Sequence, residues 1–273
     1  MDNTRNEMPW VSFYLQDEQF AVSTQYVREM VAMPKVIKIP QTPEYIRGVI
    51  NLRGKTIPIM DLRVKLGMTS LVYETDQLIT LMNEREEDHK NWIAELEASV
   101  QEKREFKLTT DPNKCKFGKW YNSFKTENRV LESLLKKFNR PHQKIHAIAK
   151  KVEKAVAGEN YEAAFRIINE TRDNELAEMI SLFEEVRTLL RESTREIALV
   201  LECRDTEMVI SVDSVETVEK LNRKKIEKLS DVINTVNNEF ISGIGKREKD
   251  ETMIQLIDVK KLVQKESNLE LNI

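Results

Sequence analysis

The chain has 273 residues, with 43 Lys and Arg against 46 Asp and Glu, three His and two Cys. A net charge of −3 argues against a nucleic-acid binder, which needs an excess of clustered Lys and Arg to displace counterions. No stretch approaches the roughly 20 apolar residues that span a bilayer, Met1–Glu7 lacks the basic start of a signal peptide, and two cysteines make no disulfide framework. The expectation is a cytoplasmic protein with no direct membrane insertion.

Residues 8–70 hold five of the seven Pro and three of the seven Gly and read as strands. Val11–Leu15 and Phe20–Val22 alternate, Val36–Pro40 is a short β-branched run, and Gly48–Gly54 reads as a strand interrupted by a turn. Thr56–Leu62 reads as another strand, in which Pro58 points to an edge or a bulge.

Residues 71–195 contain only Gly118 and Gly158 and are rich in helix formers. Apolar residues recur at helical spacing through Leu78, Met82, Trp92, Leu96 and Val100. A second amphipathic segment runs from Val130 to Phe138. Asn139 caps a third, with Pro141 in its first turn, that stops at Gly158. A fourth starts near Asn160 and runs to Leu190. Nearly equal numbers of acids and bases in this block describe the solvated outside of a helical bundle.

Strands return after residue 196, with Ile197–Leu201 and Met208–Val212 joined around Arg204–Asp205, and with Met253–Val259. The two strand-rich parts echo each other. Tyr45-Ile46-Arg47-Gly48-Val49 parallels Phe240-Ile241-Ser242-Gly243-Ile244, and the strand ending at Asp61 parallels the one ending at Asp258. The repeat implies two related β subdomains, with the helical block between them in sequence.

All three histidines lie in the helical block, with one of the two cysteines. His142 and His146 stand one helical turn apart, and His89 falls on the apolar stripe of its own helix. Cys115 sits in a turn leading into another helix. Three imidazoles and a thiolate match the tetrahedral N/S preference of Zn²⁺. The same residues also read as satisfied core histidines and an incidental surface pair, and spacing alone leaves both readings open.

The run from Pro43 to Leu62, with Arg47-Gly48-Val49-Ile50-Asn51-Leu52-Arg53-Gly54 at its centre, closely resembles the signature of the CheW-like chemotaxis coupling domain. Phe20-Ala21-Val22, Val27-Arg28-Glu29-Met30 and Ile210-Ser211-Val212-Asp213 resemble further elements of that family. The resemblance implies a pair of five-stranded β-barrel subdomains and an adaptor without catalytic activity. Its expected partners are the histidine kinase CheA and chemoreceptors, the methyl-accepting chemotaxis proteins. It also implies that Glu29 and Arg53 form a charged pair orienting the docking surface, and that Val27 and Val36 are apolar positions at partner interfaces. On the residues alone, the valines read equally as core and the charged pair as a weak surface bridge.

Asp88-His89-Lys90-Asn91-Trp92, Cys115-Lys116-Phe117-Gly118-Lys119-Trp120-Tyr121 and His142-Gln143-Lys144-Ile145-His146 are similar to the three motifs of the chemoreceptor zinc-binding domain. That family is a four-helix bundle, and the resemblance implies Zn²⁺ held by His89, Cys115, His142 and His146. Its members are implicated in sensing zinc or oxidants such as hypochlorous acid, which makes Cys115 the redox-active residue. The expected architecture is α+β and multidomain: residues 8–72 as the first part of the CheW-like domain, 73–195 as the inserted zinc-binding bundle, and 196–265 as the second part. Four protein ligands leave no open position on the metal, which argues against hydrolysis by a metal-bound water, and without a Gly-rich phosphate loop or a Ser/His/Asp set the chain reads as no enzyme. A constitutive coupler with purely structural zinc is the alternative, and a metalloenzyme a more distant one. Cys203, on an alternating strand, reads as ordinary packing.

Overall fold

The computed structural model describes residues 7–228, 239–247 and 249–267; Met1–Asn6, read above for a signal peptide, lie outside them. In chain order the elements are β1 (Glu7–Leu15), β2 (Glu18–Ser23), β3 (Val27–Ala32), β4 (Ile46–Leu52), β5 (Lys55–Asp61) and α1 (Leu62–Lys65). The helices α2 (Leu71–Gln101), α3 (Lys116–Ser123), α4 (Arg129–Lys136), α5 (Asn139–Ala157), α6 (Tyr161–Thr171) and α7 (Ala177–Ser193) follow. The chain returns to β6 (Ile197–Cys203), β7 (Thr206–Val212), β8 (Ser214–Asn222), β9 (Glu227–Lys228), β10 (Ile241–Lys246), β11 (Met253–Ile257) and α8 (Val259–Ser267). Two compact units result, residues 1–73 with 194–273, and residues 74–193.

The β unit contains two sheets, ordered β8-β1-β2-β11-β10-β9 and β3-β6-β7-β5-β4. The sequence halves are therefore not the subdomains. Each sheet takes a hairpin from the other half: β1–β2 joins strands of the second half, and β6–β7 joins strands of the first. The insertions are equivalent. β2 runs parallel to β11 (Ala21 opposite Leu256), and β7 runs parallel to β5 (Ile59 opposite Val209). The sixth strand of the larger sheet is the two-residue β9, whose counterpart in the first half is a single bridge from Ile37 to Val49. That bridge is all the ladder pairing the Val36–Pro40 run makes, so it forms no strand.

The repeated residues have physical reasons. Gly48 and Gly243 each sit at a register shift, where β4 and β10 bulge. A Cβ on Gly48 would lie 2.0 Å from the Ile37 carbonyl oxygen, and one on Gly243 would lie 2.5 Å from that of Glu227. Both positions admit a neighbouring carbonyl that any side chain would exclude. Asp61 and Asp258 cap the helices that follow them, accepting from the N–H of Val64 (3.2 Å) and Lys261 (3.1 Å). The backbone N–H of each donates to the carbonyl of Tyr45 or Phe240, at 2.8 and 2.7 Å.

Strand exchange buries the inserted hairpins on both faces, which explains their near-continuous apolar runs. Phe13, Leu15, Phe20 and Val22 pack with Leu199, Leu201 and Ile210 in a core shared by both sheets. Trp10 and Ala21 face the other way, onto Leu221, Ile254 and Leu256. Ala198, Val200 and Val209 line the core of the five-stranded sheet with Ile50, Ile57 and Ile59. Cys203 is buried in the shared core, as ordinary packing requires. Pro58 lies in an interior strand rather than an edge. It is tolerated because the ladder from β5 to β7 begins only at Ile59. The β6–β7 hairpin closes through Arg204 and Asp205, both at positive φ (51° and 62°), without the glycine such a turn favours.

In the helical unit, the four amphipathic segments appear as α2, α4, α5 and a long rod of α6 and α7. The rod is continuous through a π-helical turn at Arg172–Leu176. The short α3 is the helix expected after the Cys115 turn. Asn128 and Asn160 cap α4 and α6, accepting N–H groups at 3.0–3.1 Å. Asn139 is not a cap. It is already helical, and Phe138 before it has αR backbone, so α4 passes into α5 across a tight two-residue joint. The core holds Met82, Trp92, Phe117, Phe138, Ile145, Ile168 and Phe183. One ion pair crosses it, from Arg187 to Glu86 at 2.7 Å.

Candidate functional site

His89 on α2, Cys115 at the cap of α3, and His142 and His146 on α5 converge. One ligand atom from each lies within 4.8 Å of all the others. All three histidines are buried, and Cys115 is half-buried. Their packing is aromatic. The Phe117 ring stands edge-on to His89 and His142, with centroids 5.6 and 4.9 Å away, and Trp92 lies 5.0 Å from His146. Trp92 is itself fixed by its Nε1–H, which donates to the Thr109 carbonyl at 2.8 Å.

Local backbone orients each donor. The Arg85 carbonyl lies 2.7 Å from His89 Nδ1, so the ring donates there and turns Nε2 toward the cluster. His89 Nε2 and both ring nitrogens of His146 are buried without a hydrogen-bond partner. Buried polar atoms are rarely left so; the Thr109 carbonyl acts on the His146 ring, and an open nitrogen on each of His89 and His146 within one cluster fits a cation better than an apolar core. His142 Nε2 faces the Cys115 sulfur at 3.2 Å.

The turn carrying Cys115 depends on Gly118. The Gly118 N–H donates to the sulfur at 3.1 Å, so Cys115 serves as the N-cap of α3. A Cβ on Gly118 would lie 1.8 Å from the Pro112 carbonyl oxygen, so the turn closes only around glycine.

Burial sets the charge states. It holds His142 down to about 3 and His146 to about 4, with repulsion from neighbouring imidazoles adding to the effect. His89 is also lowered by burial, against the pull of the Arg85 carbonyl. Burial pushes the Cys115 thiol up, while the N–H groups of Gly118 and Phe117 oppose it. Neutral imidazoles and a thiol that gains from a nearby cation are what Zn²⁺ requires. The imidazole shifts predict the pH response of chelator-treated protein. Both histidines bind protons more weakly folded than unfolded, so their stabilisation is complete above pH 6.5 and falls as pH drops toward their folded values. Denaturant titrations should show a loss of about 2–4 kcal/mol between neutrality and about pH 5. A flat profile would contradict the burial.

Val27 and Glu29 lie on β3, Arg53 in a turn of the same five-stranded sheet, and Val36 in the segment after β3. Arg53 holds φ +52° in the two-residue turn between β4 and β5, and its guanidinium donates to Glu29 on β3 at 2.7 Å. The Arg53 side chain is 80% exposed, so the pair adds little stability and remains open to a further acceptor. Val27 and Val36 are half-buried, each packed against a core cluster. Sequence reading missed a charged row beside this pair. Glu202 and Glu207 stand directly opposite each other on β6 and β7, a repulsive pairing. Arg28 binds Glu202, and Lys55 binds Glu207 at 2.8 Å. A lone Glu in each otherwise uncharged strand, β6 and β7, was the available signal, but it could not say which strands would be neighbours.

Among the described residues, no helix is long and apolar enough to cross a membrane. The chemoreceptor zinc-binding domain matches residues 89–153, which include all four converging residues. A chemotaxis protein CheW from Klebsiella aerogenes is 35% identical over 71 residues, 26% of this chain and 43% of that protein. The Bacillus subtilis CheW is 30% identical over 86 residues, 31% of this chain and 54% of the relative. The chain thus spans about half, or less, of the length of these relatives. The crystal structure of the scaffolding protein TtCheW from Thermoanaerobacter tengcongensis aligns over 92% of this chain and 88% of its own, at 18% identity and a TM-score of 0.43. The CheW-like domain itself matches residues 9–101 and 175–267, more than half of the sequence, and the chain belongs to that family.

Proposed function

We propose that this protein is a cytoplasmic, non-catalytic adaptor that couples chemoreceptors to the histidine kinase CheA, and that its helical unit binds Zn²⁺ through His89, Cys115, His142 and His146. The convergence of those four side chains, with an open buried nitrogen on each of His89 and His146, carries the metal reading. Bound zinc would hold the Cys115 sulfur as a thiolate and link α2, α3 and α5. Docking of kinase and receptor falls to the surface around Val27, Glu29, Val36 and Arg53.

Cys115 is the point at which a signal enters. Its sulfur both belongs to the donor set and caps α3, so oxidation to sulfenic acid would weaken two attachments together. The closed set of four protein ligands also suits a purely structural zinc, and the two readings differ in what removal of zinc does.

Cys115→Ala should lose zinc, measured by elemental analysis of purified protein. Unchanged stoichiometry would sink the ligand assignment. Kinase activity in a reconstituted receptor–kinase array, with and without chelator or mild oxidant, tests the sensor. No dependence on either would leave only the coupling role.

A further inference from the structure

A cavity of about 490 Å³ opens between the end of α2, the loop after it, the C-terminal half of α5 and the start of α6. Its volume lies within the range of small-molecule sites. Leu96, Val100, Ala149, Val152 and Val156 give it an apolar floor, and the rings of Phe106 and Tyr161 form part of its wall. Its remaining lining includes Lys103, Glu105, Lys150 and Glu153. An apolar floor with charges of both signs around it suits a ligand with an apolar body and a zwitterionic head.

One of those charges is held in place at a cost. Lys103 follows the last turn of α2 with φ +53°, where the Arg104 N–H donates to the Ser99 carbonyl at 2.9 Å. Glycine is the usual residue at such a helix end, and a lysine there carries backbone strain. The strained backbone sets the Lys103 ammonium 5.2 Å from the centroid of the Tyr161 ring. Arg104 beside it is already occupied by Glu95 and Glu102. Of the two remaining cations, Lys103 and Lys150, Lys103 is the one fixed by both backbone and ring, so it is set to meet a carboxylate, and Glu105 and Glu153 are the groups to meet an ammonium.

We propose that this cavity binds a free aromatic α-amino acid. The ring would lie on the apolar floor against Phe106 and Tyr161, the carboxylate would meet Lys103, and the ammonium would meet the glutamates. Phe106 also stands edge-on to Trp92, with centroids 5.0 Å apart, so an occupied cavity would change the surroundings of an indole.

Calorimetric titration of the full chain with phenylalanine, phenethylamine and phenylpropionate tests this. Phenylalanine should bind, and each analogue lacking one charge should bind about tenfold more weakly. Equal binding of all three would overturn the zwitterionic head, and no heat from phenylalanine at millimolar concentration would overturn the site. Lys103→Gly removes the ammonium while relieving the strained backbone, so the fold should be kept or gain stability. It should weaken phenylalanine about tenfold. Undiminished binding by a folded Lys103→Gly protein would place the ligand elsewhere.

Discussion

Gly118→Ala should unfold the start of α3 and abolish zinc binding, although alanine is the better helix former. The added carbon would sit 1.8 Å from a backbone oxygen, and neither the Pro112 carbonyl nor the helix start can yield without breaking the Cys115 turn. We expect a loss of about 3 kcal/mol or more in the stability of the helical unit. Elemental analysis should find the protein without zinc. Gly158→Ala is the matched control. A carbon there meets its nearest atoms at 3.6 Å, an ordinary contact, and stability should stay level or rise by about 0.5 kcal/mol. If both variants bind zinc equally, the turn does not position Cys115 as described.

Arg63→Ala should cost the β unit about 3 kcal/mol. The Arg63 side chain, on α1, is only 6% exposed, and its two nitrogens grip both oxygens of Asp213, one at 2.7 Å. The same carboxylate accepts the Gln16 N–H at 2.6 Å, so it ties the β1–β2 turn to α1. Removing the arginine strands a carboxylate that burial has already deprived of most of its water. The double variant Arg63→Met/Asp213→Asn removes both charges and should recover part of the loss in a denaturant titration. A single-variant cost under about 1 kcal/mol would mean that the pair behaves as an exposed one.

The sequence makes some of this legible because some positions admit few alternatives. Gly48, Gly243, Asp61 and Asp258 are tied to a close carbonyl or a helix cap, and such requirements mark sequence strongly. The histidines are legible as a set because the chain has only three. Hydrophobic pattern locates strands but does not name their neighbours, so the exchange of β1–β2 and β6–β7 between sheets stayed hidden. The pattern of β1 fits a strand buried on both faces in either arrangement. Asn139 shows a local limit: Asn two residues ahead of a proline reads as a cap, but Phe138, buried in the core, already has helical backbone. The contact that makes Gly118 necessary involves a carbonyl six positions back and has no periodic signature.

Strand exchange also constrains the order in which the chain can fold. The first half lacks β6 and β7, so its sheet cannot be completed while only that half has left the ribosome; Val27 must wait for Leu201, and Ile59 for Val209. The helical segment between them is continuous in sequence and rich in local contacts, and such segments fold early. Its folding removes most of the disorder from the long loop that those pairings must close. Until then β3 and β5 expose the edges that β6 and β7 will cover, and a lesion that slows the helical segment would prolong that exposure. Variants that damage only the helical unit should therefore lower the yield of soluble protein by aggregation through strands they never touch.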